Sequence, residues 1–277
     1  MAQLILYRKL ALDWRLSIAG LLCFLAYFPT FLWMWERWFT SDSYYSHGIL
    51  IPCVSAFLIW QKRHVLRNLK KEHAPWGLGL FIAGMVVHLL SLLLQVYFTS
   101  AFSLILVLSG FILYVYGKSV LKEVLFPLLF LGFMVPLPLI AIVNISFQLK
   151  LFSAKMAAVI LNWASIPAIQ EGSYIKMPHA NVIVEDVCSG LRSLIALIAL
   201  AAVFAHQMKA GVVKKLIVFF AAVPIAVFAN TFRIALLAMV GELWGTGYLS
   251  GFIHGVLGIL TFIIAFVLLF TLEKLLE

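Results

Sequence analysis

Charged residues are scarce in this sequence. Asp, Glu, Lys and Arg make up 11% of the 277 residues, whereas 64% are hydrophobic and the mean hydropathy is +1.09. A soluble globular domain is about 45–50% apolar and about 25% charged, so a water-soluble fold of this length is excluded. The lipid bilayer must solvate most of the apolar surface. We therefore predict an all-α polytopic membrane protein in which residues 1–277 form a single transmembrane domain.

Cysteine is also rare, and its spacing argues against several kinds of site. The three cysteines are Cys23, Cys53 and Cys188, and they form no CxxC pair and no Cys/His cluster. We therefore expect no disulfide framework, no metal and no other cofactor. Cys23 and Cys53 lie inside apolar runs, where a cysteine usually packs as a small hydrophobic side chain. No signal-peptide cleavage site follows the first apolar run, which predicts a retained span.

Long apolar runs recur along the chain. A helix needs about 20 mostly apolar residues to cross the bilayer. By this criterion we predict eight transmembrane helices, at Ser17–Trp35, Tyr45–Trp60, Gly77–Gln95, Ala101–Tyr116, Val120–Val143, Cys188–His206, Val213–Val240 and Phe252–Leu272.

The basic residues fall mainly in alternate loops. One set of loops and ends holds Arg8, Lys9, Arg15, Lys62, Arg63, Arg67, Lys70, Lys71, Lys118, Lys122, Lys209, Lys214, Lys215 and Lys274, and the other set holds only Arg37, Lys150, Lys155 and Lys176. The positive-inside rule then predicts that both termini lie in the cytoplasm. The net charge of +9 is explained by this topology, and we expect no nucleic-acid partner.

The longest segment between predicted spans, Asn144–Val187, lies on the outer side in this topology. Its first part, Asn144–Trp163, alternates apolar and polar residues, which favours an amphipathic helix in the outer interface over a re-entrant segment. Pro136 and Pro138 predict a bend just before it. The later part, Gln170–Val187, contains turn residues between short β-prone runs and predicts a small hairpin or loop on the outer face.

Three reactive side chains fall near the outer ends of late spans. Cys188 opens the sixth span, His254 opens the eighth, and Arg233 lies about 10 Å below the outer end of the seventh at 1.5 Å per residue. Ionisable residues within a membrane are costly and suggest function. The helix N-terminus and Arg192 would lower the pKa of the Cys188 thiol. His254 could then act as base and Arg233 could stabilise an oxyanion, and Asn230 could orient Arg233 or donate to the same oxyanion.

The flanks of Cys188 support this interpretation over simple packing. Glu185, Asp186, Ser189 and Gly190 make a polar setting that a buried hydrophobic cysteine would not need. Other histidines leave alternatives open. His47 could line the site or cap the second span, His179 is a weaker candidate for the base, and His88 in mid-span could bond a neighbouring helix.

These motifs resemble the exosortase and archaeosortase superfamily. The resemblance rests on Cys188-Ser189-Gly190-Leu191-Arg192-Ser193, Asn230-Thr231-Phe232-Arg233-Ile234, His254 with Gly255 and Gly258, and Tyr45-Ser46-His47-Gly48. It implies an eight-span membrane fold with Cys188, Arg233 and His254 as the catalytic residues.

The resemblance also implies a substrate and a location. The substrates would be membrane-anchored secreted proteins whose C-terminal sorting signal has a Pro-Glu-Pro-like motif, an apolar helix and a basic tail. Cleavage would occur near the motif, with transfer to water or to an amine on an extracellular polymer or lipid. The protein would lie in the cytoplasmic membrane of a prokaryote, with its active site facing the periplasm or exterior.

Two other functions are less favoured by the sequence. A transporter or export subunit for an extracellular polymer would place charges near the bilayer midplane and often shows internal repeats, neither of which is visible here. A metal site formed by His47, His254 and Cys188 lacks a recognisable ligand spacing.

Overall fold

The computed structural model describes residues 2–41, 43–185, 188–245 and 252–277, without the side chains of residues 2–17, 19, 252 and 254. In these residues the chain forms helices α1 (Ala2–Phe39), α2 (Leu50–Gln61), α3 (Arg63–Asn68), α4 (Trp76–Leu93), α5 (Tyr97–Tyr116), α6 (Lys118–Phe130), α7 (Leu139–Trp163), α8 (Leu191–Gln207), α9 (Val212–Trp244) and α10 (Phe252–Leu276), and strands β1 (Ile169–Glu171), β2 (Tyr174–Lys176) and β3 (Asn181–Ile183).

The predicted class of fold is confirmed. Five of the described helices are long and apolar enough to cross a membrane, namely α4, α5, α7, α9 and the Gly255–Leu276 part of α10. Two further apolar helices, Ser46–Gln61 and Leu191–Gln207, are shorter. The chain is thus an all-α multi-pass membrane protein, while the number of eight spans stays a prediction.

The fifth predicted span is wrong as a continuous helix. Helix α6 ends at Phe130, a 3₁₀ turn covers Leu131–Met134, and α7 begins only at Leu139. Pro136 and Pro138 account for the break, because proline has no N–H to donate and holds the preceding residue in an extended conformation. The end of the predicted span therefore belongs to α7, which runs on to Trp163 as a 25-residue helix. Its length and composition fit a membrane-crossing helix, in contrast to the shorter interfacial helix that we expected.

The chain divides into two compact units, which are Met1–Thr40 with Gly48–Pro136, and Ser41–His47 with Leu137–Glu277. In the first unit, α4 and α5 pack very closely because glycines line their contact. A Cβ atom added at Gly77 would lie 2.2 Å from the backbone nitrogen of Tyr114, and one at Gly110 would lie 2.4 Å from that of Phe81. Small residues of this kind let the backbones of membrane helices approach one another.

A buried polar network joins α1, α4 and α5 in the same unit. His88 is fully buried, with Nδ1 2.9 Å from Ser100 Oγ and Nε2 3.1 Å from the carbonyl oxygen of Ala26. Its ring stacks on that of Tyr27 at 3.8 Å between centroids, and the Tyr27 hydroxyl lies 2.6 Å from Ser103 Oγ. His88 therefore bonds neighbouring helices, as the sequence suggested, and buried polar atoms satisfied in this way specify which helices pack together.

The second unit is organised around α9. This helix packs against α7, α8 and α10, and a three-stranded antiparallel sheet in the order β1-β2-β3 packs against α7 and α9. Alternation along the strands gives the sheet a buried and an exposed face. Ile175 and Val182 are cross-strand partners on the buried face, whereas Tyr174 and Ile183 pair on the exposed face. The predicted hairpin is confirmed, and a third strand extends it.

Candidate active site

Cys188 lies in the segment between β3 and α8, three residues before α8 begins. Its backbone N–H donates a hydrogen bond of 2.9 Å to the carbonyl oxygen of Glu185, and only 6% of the residue is exposed. The side chain belongs to an apolar cluster formed by the buried face of the sheet together with α7 and α9; its other members include Ala154, Ala157, Ala158, Leu161, Ala168, Ile175, Met177, Ala180, Val182, Val184, Ile234, Ala235 and Ala238. The cysteine is thus held in largely apolar surroundings in the described part of the chain.

Asn230 of α9 holds the backbone of Cys188. Its Nδ2 donates hydrogen bonds to the carbonyl oxygen of Cys188 at 3.0 Å and to Ser153 Oγ at 3.4 Å, and the residue is 3% exposed. A primary amide has two N–H groups, and these two bonds use both of them. Asn230 could therefore donate a hydrogen bond to an oxyanion only by breaking its bond to Cys188 or to Ser153.

Gly190 lets the chain turn from Cys188 into α8. Its φ angle of +81° lies in the left-handed region that favours glycine, and a Cβ atom there would lie 2.6 Å from Asn230 Cγ. The neighbouring serines support the first turn of α8. Ser189 Oγ accepts a hydrogen bond from the N–H of Leu191 at 3.4 Å, and Ser193 Oγ donates one to the carbonyl oxygen of Gly190 at 2.9 Å. The close contact with Asn230 explains why this turn requires glycine in particular.

The pKa of the Cys188 thiol is raised above its ordinary value, contrary to the lowered pKa that we expected from the sequence. Burial of the thiol is the main cause of the rise. The positive charge of Arg233 acts in the opposite direction, and the negative charge of Glu185 raises the pKa further. The thiol is therefore protonated at neutral pH in this state of the protein, and nucleophilic attack requires a base to remove its proton.

A cavity of about 480 Å³ lies in the second unit; Gly190 and Arg233 are among its described lining residues, whereas Cys188 is not. One part of its lining is polar and includes two arginines and a histidine, and another part is apolar and lies between α8 and α10. The described lining residues are Ser46, His47, Gly190, Arg192, Ser193, Ala196, Arg233, Gly255, Gly258, Ile259, Phe262 and Ile263. Such a cavity can receive an apolar segment and a polar group of the same ligand.

Among its described lining residues, the cavity has two arginines and no acidic side chain. Arg192 and Arg233 are close enough to repel each other electrostatically, and Arg233 is also close enough to Cys188 for its charge to act on the thiol. The guanidinium of Arg233 packs along Gly258 of α10, where a Cβ atom would lie 3.6 Å from its terminal nitrogen. Negative charge that develops on a ligand in this cavity would relieve the repulsion between the arginines.

His47 lines the same cavity. Its ring stacks on that of Tyr45 with the centroids 5.8 Å apart, and both ring nitrogens are buried. Neither nitrogen has a hydrogen-bond partner among the residues that the structure describes. Helix α2, which follows, has no side-chain cap at its N-terminus. Of the two alternatives for His47, the position beside the cavity is the one that the geometry favours.

His179 is bound to an acid that we did not single out in the sequence. Its Nδ1 atom lies 2.7 Å from Glu242 Oε1, and its side chain is 80% exposed. Glu242 lies near the end of α9 and has 8% of its side chain exposed. A carboxylate at the end of an apolar helix is a signal that could have identified it, because ionisable residues there are costly.

The structure does not describe the side chain of one predicted site residue or any part of another. His254 lies in the first turn of α10, but its side chain is among those not described, and Asp186 lies outside the described residues altogether. Glu185 is exposed and contributes its backbone carbonyl to Cys188. Cys53 is exposed, and Cys23 is half-buried. Among the described residues, no group of three or more His, Cys, Asp or Glu side chains could hold a metal ion.

The fold and the site together define a multi-pass membrane protein in which a buried cysteine lies under the electrostatic influence of an arginine from α9, a helix long and apolar enough to cross a membrane. The sequence model of the transmembrane exosortases matches residues 35–271, which is most of the chain. The protein therefore belongs to the transmembrane exosortase family, and its membership supports a general role in transpeptidation and protein sorting at a membrane. No curated protein and no solved structure matches the chain.

Proposed function

We propose that this protein is a membrane-embedded cysteine peptidase and transpeptidase that cuts the C-terminal sorting signals of secreted proteins. The observation that carries the proposal is the proximity of two residues in a member of the transmembrane exosortase family: Arg233 of α9 lies close enough to the buried thiol of Cys188, which precedes α8, for its charge to act on the sulfur. A cysteine that served only to fill the core would gain nothing from a neighbouring cation.

The reaction begins with removal of the Cys188 proton, for which His254 in the first turn of α10 is the proposed base. The sulfur attacks the carbonyl carbon of the scissile bond, and the carbonyl electrons move to the oxygen. The guanidinium of Arg233 stabilises this oxyanion, a contribution of about 3–4 kcal/mol for one well-placed donor. Collapse of the intermediate breaks the C–N bond, the amine leaves with the proton from His254, and a thioester to Cys188 remains.

The thioester is then released by water or by an amine. Attack by water produces a free carboxylate, and attack by an amine on an extracellular polymer or lipid produces a new amide bond. The attacking water or amine loses one proton to His254. This proton then passes to the sulfur of Cys188 as the C–S bond breaks, which restores the thiol. The two outcomes differ in the mass of the product, which decides between hydrolysis and transpeptidation.

The cavity supports a substrate that is part polar and part apolar. The scissile peptide bond would lie against Arg192, Arg233 and His47, and apolar residues of the sorting signal would pack on Ile259 and Phe262 between α8 and α10. An apolar substrate helix with a basic cytoplasmic tail would present its cleavage site at the outer interface of the cytoplasmic membrane. This is the layer in which the sequence predicts Cys188, Arg233 and His254.

Co-expression with candidate substrates tests the proposal. We expect the wild-type protein to shorten a membrane-anchored protein that carries a C-terminal sorting signal, and Cys188→Ala and Cys188→Ser to leave it uncut. Cys23→Ala and Cys53→Ala are matched controls that retain processing, because both cysteines belong to the first compact unit, whereas Cys188 and Arg233 belong to the second. Mass measurement of the new C-terminus identifies the bond and the acceptor. Normal processing by Cys188→Ala would refute the assignment of the nucleophile.

A further inference from the structure

Glu242 occupies a position in α9 that is unfavourable for a carboxylate. It lies two residues before the last residue of the helix, and 8% of its side chain is exposed. The C-terminal end of a helix carries a partial negative charge, which repels an anion. Removal of a carboxylate from water is costly unless hydrogen bonds compensate. Neither helix propensity nor apolar packing therefore explains this residue.

The compensation comes from the loop between β2 and β3. The backbone N–H of His179 lies 3.1 and 3.2 Å from the two carboxylate oxygens, and the N–H of Ala180 donates to Oε2 at 2.9 Å. His179 Nδ1 adds a third donor, 2.7 Å from Oε1. The loop is closed on itself, because the carbonyl oxygen of Ala180 accepts a hydrogen bond of 3.0 Å from the N–H of Met177, the first residue after β2. Glu242 thus binds the tip of the hairpin to α9.

The tip of the hairpin is directly connected to the surroundings of Cys188. Met177 and Ala180 are the first and last residues of the loop, and both belong to the apolar cluster that contains Cys188. Val182 and Val184, which continue from the loop along and beyond β3, also belong to this cluster. A displacement of the loop from α9 would therefore remove apolar cover from the thiol.

We propose that Glu242 is a positioning residue which, by binding the β2–β3 loop, keeps the sheet on α9 and limits the exposure of the Cys188 thiol. The importance of Glu242 for catalysis rests on the proposed function, since Cys188 is the proposed nucleophile. Its effect on the exposure of the Cys188 thiol does not depend on that function. It can therefore be tested even if no substrate is cut.

The test measures the alkylation rate of Cys188 in the full-length protein. In a background of Cys23→Ala and Cys53→Ala, Cys188 is the only thiol, and an uncharged maleimide reports its exposure. We expect Glu242→Ala to be labelled faster by roughly tenfold or more, because loss of hydrogen bonds to a charged group shifts local opening by at least that factor. Cys188 should also be labelled faster in Glu242→Gln. The amide nitrogen of Gln is a donor and would face the N–H donors of the loop, where an acceptor is needed.

His179→Ala is the matched control. It removes the contact through Nδ1 but retains the two backbone donors to Glu242, so we expect labelling to stay near the wild-type rate. Glu242→Asp keeps the charge on a shorter side chain and should give a rate between those of wild type and Glu242→Ala. This ordering is specific to the carboxylate and would not follow from a general loss of packing.

A second probe distinguishes local opening from unfolding. Ala201 of α8 is fully buried in the second unit and lies outside the cluster around Cys188, so an Ala201→Cys substitution in a protein that also carries Cys23→Ala, Cys53→Ala and Cys188→Ala reports unfolding of that unit. We expect Glu242→Ala to leave the labelling of this probe unchanged. Equal acceleration at both probes, or wild-type labelling of Cys188 in Glu242→Ala and Glu242→Gln, would overturn the proposal. Processing assays on the same variants test the proposed function separately.

Discussion

Asn230 donates a hydrogen bond of 3.0 Å to the backbone carbonyl of Cys188, a residue 42 positions away in the sequence. The bond fixes the segment before α8 to the middle of α9, the same helix that carries Arg233. It therefore couples the position of the cysteine to that of the arginine.

Asn230→Ala should displace Cys188 and reduce processing of a substrate. The substitution leaves a buried carbonyl without its donor, which costs about 1–3 kcal/mol of stability. Ser153→Ala is the matched control, because it removes only the other acceptor of Asn230 and leaves the bond to Cys188 intact. Thermal stability and the fraction of substrate cut are the measurements. Equal processing by Asn230→Ala and wild type would show that the bond does not position the cysteine.

Gly190→Ala should be far more damaging than Gly172→Ala, although both glycines have a positive φ angle. A non-glycine residue in the left-handed region costs about 1–2 kcal/mol at either position. Only at Gly190 would the new Cβ atom also lie 2.6 Å from Asn230 Cγ, whereas nothing lies within 4 Å at Gly172. Comparison of thermal unfolding and membrane yield isolates the effect of the contact. Similar losses for the two variants would mean that backbone strain alone matters.

Arg233→Gln should shift the alkylation of Cys188 to higher pH. Burial raises the pKa of this thiol and Arg233 opposes the rise, so removal of the positive charge takes away the largest influence that lowers the pKa. Because only the thiolate reacts, labelling at a given pH slows as the pKa rises. The pH profile of labelling in a protein with Cys188 as its only thiol measures the shift.

Arg233→Lys is the control for this experiment, because it keeps a positive charge at the same position of α9. We expect its pH profile to lie closer to that of the wild type than the profile of Arg233→Gln does. A profile for Arg233→Gln that coincides with the wild type, or lies at lower pH, would contradict the electrostatic contact between Arg233 and Cys188.

Local features of the sequence predicted much of the second unit. The apolar runs of α8, α9 and α10 are long relative to their loops, and the β-prone stretch around Val182 alternates in the way that a half-buried strand requires. The prolines at positions 136 and 138 also predicted a bend correctly. The predicted fifth span was wrong because it continued through these prolines. Hydropathy averaged over a window does not depend on whether a residue has a backbone N–H to donate. The helix boundary at Leu139 follows from the prolines and not from composition.

Composition was sufficient to determine that the chain is a membrane protein, and residue type marked Cys188 and Arg233 as candidate site residues, because ionisable side chains in apolar spans are costly and suggest function. The tertiary structure alone decided what surrounds the thiol. Its raised pKa follows from burial among side chains of α7, α9 and the sheet. The bond from Asn230 and the loop held by Glu242 likewise join residues far apart in the chain. Such contacts depend on how helices and strands pack together, which the pattern of a single segment does not contain.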